Sequence, residues 1–339
     1  MNKLLTIVVP VYKVEPYINK CLDSCVLADE KLMSQLEVII VNDGTPDNSA
    51  EMSREYVKRY PQTFRQIDKE NGGHGSAWNV GLKEATGKYL RFLDSDDWLT
   101  NLDKLMEKLA ETDADLVFTH LHRILVYKKS IEPWILSPCN FNITQPITEF
   151  KLHQSYNCST AFWLCTYKTS IIQSFHPLFA ERISYDDTML YIAPLINAKT
   201  FICYDMVLYN YLIGREGQSI SPDFVAKKVT NHISAATHFM KFYQSHKAID
   251  EFAKELIDLQ TAKYCVWVWG ELTAQTYNAM KGLHTLYEVC PHHLAIFENS
   301  KQVRLYKKLP LPIYWAYYKF AKMVNKSAFY RKFIKHRQC

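Results

Sequence analysis

The chain has 339 residues, of which 48% are hydrophobic and 22% charged. Such values belong to globular proteins and exclude a disordered chain, a collagen-like repeat and a small disulfide scaffold. Eleven of the 40 basic residues and none of the 35 acidic ones lie in 301–339, so the rest of the chain is mildly acidic and its end strongly basic. A nucleic-acid binder spreads positive charge over a docking face. A basic end rich in Tyr, Trp and Phe points instead to an anionic membrane surface, with no nucleic-acid partner. The nine cysteines are scattered without a CxxC pair, which predicts reduced thiols in a cytoplasmic protein. The apolar start, Leu4–Val11, is too short to span a bilayer.

The first third alternates strand and helix. Leu5–Val11 is a continuous apolar run with β-branched residues. Glu15–Cys25 has helical spacing, Leu36–Val41 is a second buried strand and Ser49–Arg59 a helix. Phe64–Ile67 is a third strand. A Gly-rich loop, Asn71–Gly75, leads into a helix ending near Ala85. Strand Tyr89–Leu93, helix Leu102–Glu111 and strand Asp115–Leu121 follow. This alternation predicts an α/β fold with a mostly parallel central sheet covered by helices. Beyond Leu121, residues 122–150 read as irregular or antiparallel and 156–198 as mostly helical. Phe201–Leu212 reads as a strand, and the chain from Pro222 onward as helical. The expected domains are a catalytic one at 1–221 and a helical region at 222–339, with a basic amphipathic tail at 301–339.

Polar clusters fall where strands end, which is where open α/β sheets bind ligands. Asp94-Ser95-Asp96-Asp97 places hard oxygen donors in one turn after an apolar strand. That suits Mn²⁺ or Mg²⁺ beside a diphosphate, or else an acidic turn capping the next helix. Asp43-Gly44 offers a carboxylate to the imide N–H of uracil, or is an ordinary turn. The amides of Asn71–Ser76, Gly73 among them, precede a helix and can approach an anion; a surface loop is the alternative. Asp186-Asp187 opens an apolar helical run and offers a base for a sugar hydroxyl, or two carboxylates at a helix start. Arg215 and Ser219 could clamp a diphosphate, or sit on a solvated loop.

Taken in order, these pieces resemble the inverting family 2 glycosyltransferases of the GT-A fold, of the bacterial cell-surface polysaccharide type. The resemblance runs through Val8-Val9-Pro10-Val11-Tyr12 with Glu15, through Val38–Asp47, Asn79-Val80-Gly81-Leu82 and Ala85-Thr86-Gly87. It continues in Phe92-Leu93-Asp94-Ser95-Asp96-Asp97-Trp98, Tyr185-Asp186-Asp187 and Arg215–Ser221. It implies a metal-dependent enzyme that moves a sugar from a nucleotide-diphosphate donor, expected to be UDP-linked, to a glycan or lipid-linked acceptor. Pro10, Val11, Tyr12, Glu15, Asp43, Gly73, Asn79, Asp94, Ser95, Arg215 and Ser219 would then hold the nucleotide sugar. Asp96 would bind the metal and Asp187 would be the catalytic base. Three positions depart from the family pattern: Trp78 stands where Arg is usual, Asp186 where Glu is usual, and Gln218 interrupts the Arg215 segment. The rival expectations are a non-catalytic scaffolding subunit and a sugar-phosphate nucleotidyltransferase, the latter lacking its Gly-rich basic signature after the first strand. The expected location is the cytoplasmic face of the membrane.

Overall fold

The computed structural model describes residues 3–135, 140–149, 160–215, 218, 229–246, 251–274, 280, 282–290 and 294–320. The chain divides into two compact units, one of Met1–Ser221 with His246–Ile257 and one of Pro222–Ser245 with Asp258–Cys339.

The first unit is built on a ten-stranded mixed sheet. Strand β1 (Leu5–Val11) pairs in parallel with β2 (Leu36–Asn42), and β2 with β3 (Phe64–Asp68). On its other side β1 pairs in parallel with β4 (Tyr89–Phe92). Every residue of β1, β2 and β4 is buried, which is why their sequences are apolar on both faces. The helices α1 (Ile18–Asp23), α3 (Ser49–Arg59) and α4 (His74–Glu84) lie between these strands in the chain, and α5 (Leu102–Glu111) follows them. In α5 the buried residues are Leu102, Leu105, Met106 and Leu109, the single stripe that a 3.6-residue period produces. A short α2 (Glu30–Gln35), capped by the Asp29 carboxylate, was not expected from the sequence.

The strand order β3-β2-β1-β4 changes direction at β1, so a topological switch point lies between β1 and β4. There β4 ends at Phe92, opposite Val8, whereas β1 runs on to Val11. The Val8 carbonyl accepts the Leu93 N–H at 3.0 Å, and the Val11 carbonyl accepts the Asp43 N–H at 3.0 Å. By the alternation of the pleat, Pro10 therefore faces the β4 side, past the end of that ladder. A proline is tolerated in this central strand because its missing N–H deletes no sheet bond.

Beyond β4 the sheet becomes mixed. Strand β5 (Trp98–Leu99) is antiparallel to β10 (Thr200–Ile213), and β10 is parallel to β6 (Leu116–Leu125). Strand β7 (Ser130–Trp134) is antiparallel to β6, and β8 (Gln145–Pro146) to β10. Strand β9 (Cys165–Lys168) is inserted antiparallel to both β4 and β6. The expectation of a mostly helical 156–198 is corrected by β9. Only α6 (Thr169–Gln173), a 3₁₀ turn at Asp186–Tyr191 and α7 (Ala193–Asn197) are helical there among the described residues. The run Phe162–Tyr167 is apolar and aromatic but too short for its period to distinguish strand from helix.

The second unit is helical, with Val229–Ser245, the part of Glu251–Ala274 from Asp258, Gly282–Val289, Ala295–Glu298 and Lys301–Lys308, and helical residues at 311–320. Trp269, fully buried, donates its indole N–H to the Tyr314 hydroxyl at 3.1 Å. No helix among the described residues is long and apolar enough to cross a membrane.

Candidate active site

The turn after β4 brings carboxylate oxygens of Asp94, Asp96 and Asp97 within 4.8 Å of one another. The three aspartates have different tasks. Asp97 is buried and accepts the Tyr209 hydroxyl at 2.6 Å and the Leu212 N–H at 2.8 Å, so it fastens the turn to β10. The Tyr209 hydroxyl also accepts the Asp94 N–H at 3.3 Å. Burial, with Asp96 and Asp94 adding to it, pushes the Asp97 carboxyl well above the usual carboxylate range. Asp96 forms an ion pair with the Arg215 guanidinium. Its pKa is raised by burial and by Asp94, while Arg215 acts in the opposite direction. Arg215 also lies over the Tyr17 ring, 5.4 Å from its centroid. Gln218 shapes this segment: its side chain accepts the Gly214 N–H at 2.8 Å and donates to the Leu212 carbonyl at 2.6 Å. Ser219 lies outside the described residues.

Sequence reasoning treated His74 as part of a loop, yet its ring spans the site. Its Nδ1 is 3.0 Å from an Asp186 oxygen and its Nε2 is 3.0 Å from an Asp94 oxygen. Burial disfavours the imidazolium, but Asp186 and Asp94 overcome it and raise the His74 pKa well above its usual value. The available signal was a histidine at a helix start within a glycine-rich segment. Asp187, half-buried beside Asp186, has its pKa raised to about 7, mainly by burial and then by Asp186, with His74 opposing.

Asp43 sits at the end of β2 with its carboxylate already engaged. Lys69 Nζ donates to it at 2.7 Å, the Gly72 N–H at 2.9 Å and the Gly73 N–H at 2.8 Å. The expected anion cradle of the glycine loop thus holds a carboxylate of the chain itself. Gly73 has φ of 87°, and a Cβ there would lie 3.1 Å from the Arg182 nitrogen, so the loop packs tightly on the segment leading to Asp186.

Asn79 is buried in α4. It donates to the Phe179 carbonyl at 2.8 Å and accepts the Leu178 and Phe179 N–H groups at 3.0 and 2.9 Å. Its side chain thereby shapes the chain before Asp186. Trp78 is fully buried against Phe92, at 4.4 Å between centroids, with Phe162 and Phe179 around it. Pro10, Val11 and Ser95 are buried, whereas Tyr12 and Glu15 are exposed on the turn after β1. The Glu15 carboxylate accepts the Asn48 N–H at 3.2 Å.

A sheet with its switch point at β1/β4, an acidic turn there and a helical unit after it is the architecture of the GT-A nucleotide-sugar transferases. The solved structure of S. aureus TarS 1-349 in complex with UDP shares this fold with a TM-score of 0.63 and 16% identity, over 97% of this chain and 91% of that one. Residues 6–164 match the family model Glycosyl transferase family 2, so this part of the chain is identified with the family 2 glycosyltransferases. It is 31% identical over 216 residues to the uncharacterized glycosyltransferase EpsJ of Bacillus subtilis (strain 168), which covers 62% of this chain and 61% of EpsJ. It is 26% identical over 293 residues to the uncharacterized glycosyltransferase YibD of Escherichia coli (strain K12), across 84% of this chain and 79% of YibD.

Proposed function

We propose that this chain transfers a sugar, with inversion, from a UDP-linked donor to a hydroxyl of a glycan or lipid-linked acceptor in cell-surface polysaccharide synthesis. One observation carries the reading. A single imidazole reaches both Asp94 in the acidic turn and Asp186, the residue before Asp187, so the donor-side turn and the segment that carries the base meet on one ring.

In this reading Asp187 accepts the proton of the acceptor hydroxyl as that oxygen attacks the anomeric carbon opposite the diphosphate. A base with a pKa of about 7 combines adequate basicity with an ionised form at neutral pH. One in-line displacement inverts the centre. The donor set suits a hard cation, since Asp94 and Asp96 are half-buried carboxylates while Asp97 is engaged by Tyr209 and Leu212. Mn²⁺ or Mg²⁺ held by Asp96 beside Asp94 would supply positive charge against the departing diphosphate. Arg215, already at Asp96, would add a second positive group.

A carboxylate offers about four lone-pair sites, and the three donors on Asp43 leave room for one uracil imide N–H. Lys69 would provide the cationic contact that Trp78 does not. The UDP of the structural neighbour supports this choice of nucleotide. For the membrane, Ile313, Tyr317 and Phe320 are 55%, 40% and 63% exposed, an apolar face available to a lipid surface. The chain's end, 321–339, lies outside the described residues.

The deciding experiment incubates the protein with a panel of UDP-sugars and Mn²⁺ and measures UDP release with and without acceptor glycans. Release that depends on Asp187 supports the transferase. Tight UDP binding without any release would favour the scaffolding subunit.

A further inference from the structure

We propose that His74 is a positioning residue that ties the donor-side carboxylate Asp94 to Asp186, and through it sets Asp187 against the donor; this rests on the transferase reading above. Three elements converge on the ring. His74 opens α4, Asp94 follows β4, and Asp186 begins the 3₁₀ turn that carries Asp187. Both ring nitrogens lie 3.0 Å from carboxylate oxygens. Ionised carboxylates only accept hydrogen bonds, so a ring placed between two of them donates from both nitrogens. Charge-assisted bonds of this kind hold direction as well as distance.

The neighbouring sequence fits that task. A Cβ on Gly75 would lie 2.2 Å from the Ala180 carbonyl and 2.9 Å from the same Asp186 oxygen, so glycine gives Asp186 its clearance. Trp78, one turn along α4, backs the imidazole with ring centroids 4.2 Å apart. Trp78 in turn stacks on Phe92 of β4, two residues before Asp94. Trp78, which departs from the family pattern, thus packs behind the ring and limits its rotation. Asn79 then fixes Leu178 and Phe179 on the approach to Asp186. Within α4, the positions His74, Gly75, Trp78 and Asn79 serve one object, the placement of the 178–187 segment.

The test compares His74→Ala and His74→Gln with the parent and with Asp186→Asn, as full-length protein with Mn²⁺ and UDP-sugar. Both His74 variants should lower kcat at least tenfold while KM for the donor and the Kd for UDP stay within about threefold. His74→Ala combined with Asp186→Asn should lose little more than the worse single variant, as expected of residues that act as one unit. Melting temperatures identify a variant that has merely unfolded, and His74→Gln, closer in volume, then decides. An unchanged kcat, a loss carried by KM rather than kcat, or losses that multiply in the double variant would overturn the proposal. Full activity in Asp187→Asn would instead overturn the transferase reading itself.

Discussion

At the scale of single residues, two adjacent aspartates are separated by what surrounds them. Asp186 is buried and turned to His74, whereas Asp187 is half-buried with a pKa near 7. Asp187→Asn should reduce turnover at least about a hundredfold, the lower range for loss of a general base, with UDP binding retained in calorimetry. Asp186→Asn should cost less, and a reversed order would move the base to Asp186. The sign of the pH dependence follows from the raised pKa. Below about 7 Asp187 holds a proton and cannot accept another, so kcat should climb as pH passes through 7 and level off above it. Asp96→Ala should leave the protein folded and remove most activity. EDTA should do the same to the parent protein, with Mn²⁺ restoring it; full activity in EDTA would exclude a metal.

At the scale of elements, legibility depended on how far a residue's partners lie along the chain. Strands β1, β2 and β4 and the helices between them were readable because burial on both faces writes itself into continuous apolar runs. The acidic turn was readable because its donors are consecutive. The antiparallel β9 was not, since Phe162–Tyr167 gives no period long enough to judge. His74 was not either, as its partners lie 20 and 112 residues away. Trp78 could be read as an exception that stacks or packs, but its partners Phe92, Phe162 and Phe179 could not be read. Two glycines give opposite predictions. Gly75→Ala should lower both melting temperature and activity, because the new Cβ meets the Ala180 backbone at 2.2 Å. Gly270→Ala, inside the helix Glu251–Ala274 with nothing within 4 Å of a new Cβ, should stabilise by about 0.5–1 kcal/mol. Thermal denaturation of both checks the contrast.

At the scale of the whole molecule, the helical residues 311–320 have one buried and one exposed face. Tyr314 is buried and bonded to Trp269, so a truncation ending at Leu309 would uncover Trp269 and should melt early. Removing only 321–339 spares that contact and should keep the fold while weakening salt-sensitive binding to anionic vesicles. Several basic residues leave with that segment, each worth about 1 kcal/mol near an anionic surface. Replacing Ile313, Tyr317 and Phe320 together by serine should also weaken binding without a fall in melting temperature. Unchanged sedimentation with vesicles in both variants would remove the membrane from the proposed function.

The early end of β4 has a bearing on self-association. Where a strand stops beside a longer neighbour, the longer one offers an open stretch to which a foreign peptide can add as a new strand. Here buried Pro10 occupies the β4-facing position of that stretch and has no N–H to offer an intruder. An incoming strand would find its ladder interrupted at the first bond beyond Val8. The far end of β1 is therefore a poor template for strand addition twice over, since its residues are buried and its ladder is interrupted at Pro10.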